Sequence, residues 1–251
     1  MGDATIRVGP VLFAVLVLLA VTAAGLAALG RLGSARDILT ASARAAVQLA
    51  AVSLLIAAVL RSGWWTALFV SGMAVVAIFT SARRITSHRS GGWTALPIGV
   101  AVVPVLALLL GSTLVPARPI AVVPIAGILI GGAMTATSLT GRRALDELEA
   151  RVGEYEAGLA LGMVPRRAAI YLCRTAAKEA LIPALDQTRT VGLVTLPGAF
   201  VGVLLGGASP VRAGATQLLV LVALLAVETV AVLVTAELVA RRRLSRPSGA
   251  A

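Results

Sequence analysis

Long apolar runs alternate with short polar segments along the whole chain. Seven of the runs approach or reach the roughly 20 residues that a helix needs to cross the hydrocarbon core of a bilayer. They cover residues 8–29, 41–60, 64–82, 93–114, 119–139, 181–205 and 215–240. The pattern predicts an all-α, polytopic membrane protein with about seven transmembrane helices, folded as a single membrane domain over residues 1–251. Because the first run is longer than the apolar region of a signal peptide, we expect it to be retained as a helix.

The basic residues predict how these helices are oriented. Most of them lie in the segments after the first, third, fifth and seventh runs, and the intervening segments carry only Arg7, Arg61, Arg118 and Arg212. Lysine and arginine collect on the cytoplasmic side of a membrane, so we expect the N-terminus outside and the short basic tail, residues 241–251, in the cytoplasm. The expected location is the inner (plasma) membrane of the cell, as a multi-pass protein.

Composition agrees with this prediction. Hydrophobic residues make up 59% of the chain and charged residues 13%, whereas soluble domains have about 45–50% and about 25%. The formal net charge of +11 follows from the topology, so we expect membrane lipid as a partner and no nucleic acid.

Most of the polar residues lie in one predicted cytoplasmic segment, residues 141–179. A stripe of apolar residues at helical spacing predicts one amphipathic helix along it, formed by Leu145, Leu148, Val152, Tyr155 and Leu159. Farther along, Gly162 is suited to end a helix and Pro165 to begin the next one, which predicts a corner between two helices.

Two interpretations of this corner remain open. It is either an amphipathic hairpin on the lipid surface or an elbow that docks a soluble partner. Helices on a membrane surface usually have a polar face rich in lysine and arginine. Here Glu154 and Glu156 are mixed with the arginines, which favours a protein partner.

The chain offers few side chains for catalysis or metal binding. Cys173 is its single cysteine and His88 its single histidine, which excludes internal disulfides, thiolate clusters and most zinc sites within one chain. The only lysine, Lys178, lies in Ala-Lys-Glu, so the chain has no P-loop of the Gly-Lys-Ser/Thr type. We therefore expect a protein that is not an enzyme and binds no cofactor of its own.

Charged residues inside the predicted spans are candidates for a functional or pairing role, because a charge at the centre of a transmembrane helix costs about 2.5–3.5 kcal/mol on insertion scales. Glu228 lies near the middle of the last run and is either a cation or proton site facing a cavity, or a hydrogen-bonded contact between helices. Asp186 and Arg189 form either a local ion pair or a pair that opens with a gate. Gln48 either bonds between helices or contacts a substrate.

The sequence Leu-Pro-Gly at 196–198 predicts a break or bend in the sixth run. Broken helices are tolerated at membrane depth only where the freed backbone faces protein or a water-filled cavity. Pro197 and Gly198 therefore mark either a transport path or a proline kink that serves packing.

Several motifs resemble those of one known family. They are RAAVQL at 44–49, AMTATSL at 133–139, Glu-Ala at 156–157 followed by Gly162, and LIPALDQTRTVGLVTLPG at 181–198. In order and spacing over residues 41–243, they resemble the FetB-type ABC transporter permeases, which are bacterial iron-export permeases related to plant aluminium-tolerance permeases. The resemblance implies a half-transporter, in which a homodimer of the permease pairs with separate soluble P-loop ATPase subunits that bind ATP and Mg.

The resemblance also implies roles for residues of this chain. The ATPase-coupling residues would be Tyr155, Glu156, Ala157, Leu161, Gly162, Pro165 and Arg166. Together with the residues discussed above, the candidates for a transport path or gate are Gln48, Met134, Asp186, Arg189, Pro197, Gly198 and Glu228. The metal ligands stay unknown, with Asp186, Glu228 and Met134 as candidates.

One stretch departs from the family's pattern. Iron-export members often carry methionines and a glutamine around the Pro-Gly pair, where this chain has Ala199, Phe200 and Val203. The expectation is a permease subunit that exports iron or another metal cation, driven by ATP hydrolysis on a partner chain. The alternative is a proton-coupled secondary transporter that uses Glu228.

Overall fold

A computed structural model of the chain describes residues 9–60 and 62–246. The described residues form nine α-helices, with a 3-10 helix, Arg89–Thr94, before the fourth. The α-helices are α1 Pro10–Leu29, α2 Ala35–Val59, α3 Gly63–Ile85, α4 Ala95–Gly111, α5 Pro119–Ala150, α6 Val152–Ala160, α7 Pro165–Thr190, α8 Gly198–Leu205 and α9 Pro210–Ala240. Within this part of the chain the only β pairing is an isolated bridge between Val191 and Thr195. The all-α prediction is therefore confirmed, while Arg7, Val8, Arg61 and the tail residues 247–251 lie outside the described residues.

Six helical segments are long and apolar enough to cross a membrane in the residues that the structure describes. Five correspond closely to predicted spans, and the fifth predicted span, 119–139, is the first part of the longer helix α5. The predicted sixth span, residues 181–205, is divided, because this region holds the end of α7, an irregular stretch at 191–197 and the short helix α8. Gly192, with a φ of +81°, turns the chain there, and Pro197 precedes α8 in extended conformation.

The helices fall into two compact units. The first is the hairpin of α1 and α2, joined by a turn in which Gly33 has a φ of +70°. Its helices pack on each other and leave most of their apolar side chains exposed. This is the surface that a membrane-embedded hairpin presents to lipid or to other helices.

The second unit is a bundle of α3 to α9 with α5 and α9 at its centre. Helix α5 packs against α3, α4, α7 and α9, and α9 in turn packs against α4, α7 and α8. Small side chains such as Ala126, Ala133 and Ala231 are fully buried where these helices meet. Alanine lets helix backbones approach closely, as in other membrane bundles.

Helix α5 extends beyond the apolar run that begins it. Its 32 residues correspond to about 48 Å of helix, against a hydrocarbon core of about 30 Å. The helix ends at Ala150, and Arg151 (φ −116°, ψ 35°) separates it from α6. The expectation that Leu145 and Tyr155 share one helix is therefore wrong, because the chain breaks between them at Arg151.

Residues 241–246, here named the C-terminal strap, fold back onto the end of the bundle that carries α6. Leu244 is fully buried in a cluster with Ile85, Ala144 and Cys173. Ser245 and Ser90 exchange two hydrogen bonds, of 2.8 and 3.3 Å. The strap is thus part of the packed fold.

Candidate functional site

The predicted corner is present and is closed by a Schellman motif. Gly162 has a φ of +85°, its amide donates to the carbonyl of Leu159 at 2.9 Å, and the amide of Met163 donates to that of Gly158 at 3.0 Å. Pro165 then begins α7. The two predictions for Gly162 and Pro165 are confirmed, and we name residues 152–165 the elbow.

The tip of the elbow is open to its surroundings. Glu156 and Ala157 are exposed, as is every residue from 161 to 167. The side chain of Leu161 is 86% exposed, although it is apolar. An exposed apolar tip of this kind is typical of a surface that meets a partner protein or a membrane.

Two of the predicted coupling residues contact the body of the bundle. Arg166, at the start of α7, places two guanidinium nitrogens on the two carboxylate oxygens of Glu237 in α9, at 2.6 and 2.8 Å. The hydrogen bonds to Glu237 raise the pKa of Arg166. Tyr155 accepts a hydrogen bond of 3.4 Å from Arg242 of the strap, whose guanidinium lies 5.8 Å from the centre of the tyrosine ring.

Arg151 joins the two helices on either side of the break. Its guanidinium binds Glu154 of α6 through two nitrogens and also reaches Glu147 of α5 at 3.5 Å. The hydrogen bond from Arg151 lowers the pKa of Glu154. The bend is therefore bridged by one side chain.

A groove of about 700 Å³ lies beside the elbow. Four residues of the predicted apolar stripe line it, together with residues of α9 and the strap. The stripe residues are Leu145, Leu148, Val152 and Tyr155. The stripe thus faces a groove that the strap closes on one side.

A second hollow, here named the recess, lies among α5, α7 and α9. It has a volume of about 290 Å³, and the carboxylate of Glu228 lines it. Its other polar side chains are Gln187 of α7 and Thr135 of α5. Two consecutive glycines of α5, Gly131 and Gly132, form part of its wall.

Gly132 makes room for Glu228. A Cβ atom added at Gly132 would lie 2.8 Å from Oε1 of Glu228 and 2.3 Å from Cδ1 of Leu224. Either contact requires a side chain to move. Glycine at this position therefore lets the carboxylate lie against α5.

Other predicted residues do not line the recess. Met134 packs against the hydrophobic core and does not line the hollow. Asp186 and Arg189 are exposed and form a local ion pair at 3.5 Å. Gln48 is exposed on α2, within the first unit. The described residues contain no group of three or more His, Cys, Asp or Glu side chains arranged to hold a metal ion.

The irregular stretch follows closely in sequence after one residue that lines the recess. Gln187 lies in the last turn of α7, which ends at Thr190. The predicted break is confirmed, but it begins at Val191, before Pro197 and Gly198. Non-helical backbone at membrane depth must face protein or a water-filled cavity, and the break begins four residues after Gln187, which lines the recess.

The sequence interpretation missed Gln187 and Thr135. Both lie inside quoted motifs, LIPALDQTRT and AMTATSL, but nothing in local spacing shows that α5 and α7 bring them to Glu228. Polar residues inside otherwise apolar helices were the one signal available.

The chain matches known proteins over most of its length. The model of the uncharacterised protein family UPF0014 matches residues 10–244. The rice (Oryza sativa subsp. japonica) UPF0014 membrane protein STAR2 is 33% identical over 203 residues, covering 80% of this chain and 71% of the relative. The Arabidopsis thaliana protein ALUMINUM SENSITIVE 3 is 32% identical over 164 residues, covering 64% and 59%.

A bacterial relative has a name that states a function. The probable iron export permease protein FetB of Escherichia coli (strain K12) is 29% identical over 221 residues, covering 84% of this chain and 83% of the relative. No solved structure gives a significant match.

Proposed function

Because this chain belongs to the UPF0014 family of membrane proteins, we propose that it is the membrane-spanning permease subunit of an ATP-driven exporter of iron or another metal cation. ATP and Mg are bound and the ATP hydrolysed by a separate, soluble P-loop ATPase. The name of the Escherichia coli relative supports the cargo and the direction.

The elbow is the observation that carries the proposal of a separate motor. It is a short helix closed by a Schellman motif, with an exposed apolar tip. Arg166, the residue directly after it, makes a two-point link to Glu237 of α9. A partner that pushes on the tip therefore acts on a central helix of the bundle. This is what coupling between ATP hydrolysis and movement of the permease requires.

The proposal extends to assembly and location. We propose a homodimer in the plasma membrane, with the elbow on the cytoplasmic side and the N-terminus outside. The distribution of arginines supports this orientation. The chain has no P-loop of its own, so an ATP-driven transporter needs at least one further subunit to bind ATP.

Co-purification with the ATPase tests the proposal. The permease is isolated in mild detergent from its native membrane, co-purifying proteins are identified by mass spectrometry, and ATPase activity is measured. A stoichiometric P-loop ATPase is expected. A permease that purifies alone and carries out proton-coupled flux would favour the alternative, a secondary transporter that uses Glu228.

A matched pair of glycine variants tests whether the elbow is the surface that docks the ATPase. Gly162→Val puts a β-branched residue at a φ of +85°, a conformation such residues avoid, and is expected to release the ATPase. Gly72→Val is the control, because Gly72 lies on α3, outside the elbow, and a Cβ added there meets nothing within 4 Å. Equal ATPase retention by both variants would remove the elbow assignment.

A further inference from the structure

The recess has the charge of a cation site. Glu228 is the only acidic side chain that lines it, and no lysine, arginine or histidine does so within the part of the chain that the structure describes. The helix that carries Glu228 is one of those suited to cross a membrane. A carboxylate at this depth is costly, so a bound positive charge would offset that cost.

The ligand atoms that the recess offers are oxygens. They come from the carboxylate of Glu228, the amide of Gln187 and the hydroxyl of Thr135. The Thr135 hydroxyl donates its proton to the carbonyl of Gly131 at 3.0 Å, which leaves its lone pairs as acceptors. Oxygen ligands select magnesium, calcium, manganese and ferrous iron over soft metals such as cuprous copper.

The size of the recess suits a cation that keeps part of its water. Its volume of about 290 Å³ corresponds to about ten water molecules at about 30 Å³ each. One carboxylate among neutral ligands makes a weak site, and a transported ion must bind weakly enough to leave. The described residues contain no group of three or more His, Cys, Asp or Glu side chains that could hold a metal ion. This fits a site that an ion passes through better than a site that stores the ion.

We propose that the recess binds a partly hydrated divalent cation, held by the carboxylate of Glu228 and the side-chain amide oxygen of Gln187, with Gly132 leaving the space in which Glu228 lies. The site deepens the proposed function and rests on it, because it assigns the position at which the cargo is held. Gln187 lies in the last turn of α7, four residues before the irregular stretch that begins at Val191, so non-helical backbone follows closely after this residue of the site.

Manganese is the probe for the test. The purified permease, without ATPase, is placed in lipid nanodiscs and titrated with Mn²⁺, whose free fraction is measured by electron paramagnetic resonance. The wild-type chain is expected to bind Mn²⁺ with a dissociation constant of about 10⁻⁴–10⁻³ M, the range of weak oxygen-ligand sites. Glu228→Gln is expected to weaken binding at least about tenfold, since even outer-shell changes cost metal sites about 10–100-fold.

Two further variants separate a local effect from a general one. Gly132→Ala is expected to weaken binding, because its Cβ would displace Glu228 or Leu224. Glu179→Gln removes an equal charge from α7, where Glu179 is exposed and pairs with Arg143 at 2.9 Å, and is expected to bind as the wild type does. Thermal melting in the same nanodiscs checks that all variants are folded.

Two results would overturn the site: a folded Glu228→Gln variant that binds Mn²⁺ as tightly as the wild type, or a wild-type chain that binds none at millimolar Mn²⁺. Neither depends on the ATPase. Failure of the co-purification experiment would instead remove the proposed function, so the two proposals fail separately.

Discussion

The C-terminal strap is held to the bundle mainly by one leucine, and we predict that Leu244→Ala releases it. Leu244 is fully buried among Ile85, Ala144, Cys173 and other apolar residues. Truncation of a fully buried leucine costs about 2–5 kcal/mol. At about 1.4 kcal/mol for each factor of ten, the open form of the strap should become at least about 30 times more populated.

The ion pairs of Arg246 should matter less. Arg246 reaches Asp146 at 2.6 Å and Glu149 at 3.3 Å, but both carboxylates are 61% exposed. Exposed pairs are worth about 0.2–1 kcal/mol each, so at about 1.4 kcal/mol for each factor of ten the two pairs together correspond to about twofold and at most about 30-fold. Arg246→Gln should therefore loosen the strap less than Leu244→Ala, and high salt should have a correspondingly small effect.

Limited trypsin digestion measures this opening. When the strap closes faster than it is cut, the rate at which the C-terminal peptide is released follows the open population. Arg246 precedes a proline, so Arg246→Gln removes no good cleavage site. Leu244→Met preserves the volume and should cost less than about 1.5 kcal/mol. If Arg246→Gln released the peptide as fast as Leu244→Ala, the ion pairs rather than the buried leucine would hold the strap.

Two more predictions concern buried positions in the same unit. Burial raises the pKa of the Cys173 thiol to about 11, so maleimide at neutral pH should leave it unlabelled until the protein is denatured, and rapid labelling of the folded protein would contradict this. Gly141→Ala should lower the melting temperature, because its Cβ would lie 2.6 Å from Cδ1 of Ile85 and overpacking costs about 1–3 kcal/mol. Gly72→Ala is its control, with nothing within 4 Å of the added carbon, and equal melting of the two variants would refute the packing argument.

Local chemistry in the sequence predicted the spans and the corner well. In lipid, the backbone of an apolar run must form its hydrogen bonds within a helix. A glycine followed closely by a proline allows few turn conformations, and Gly162 and Pro165 occupy their predicted positions. The break at Arg151 was hidden because the apolar stripe continues across it.

Features that depend on long-range packing could not be predicted. The recess exists because α5 brings Gly132 against Glu228 and α7 brings Gln187 beside it, and no spacing within one helix encodes that meeting. From the sequence, the strap was interpreted only as a basic tail. The partners of Arg242 and Arg246 are distant in sequence, and no local pattern shows them. Charge alone does not tell whether an arginine meets lipid or protein.

Helix α5 connects one wall of the recess to the elbow through a continuous stretch of helix. Gly132 and Thr135 lie on the same unbroken helix that meets the elbow at Arg151, and the helix between Thr135 and Ala150 is about 22 Å long. No proline interrupts this part of it. A tilt applied at the elbow therefore displaces the wall of the recess mechanically, as a lever does, without a relay of side chains between them. Under the proposed function, the stiffness of this stretch determines how much of the movement caused by the ATPase reaches the cation site. A helix break inserted at its exposed positions would therefore uncouple the elbow from the recess.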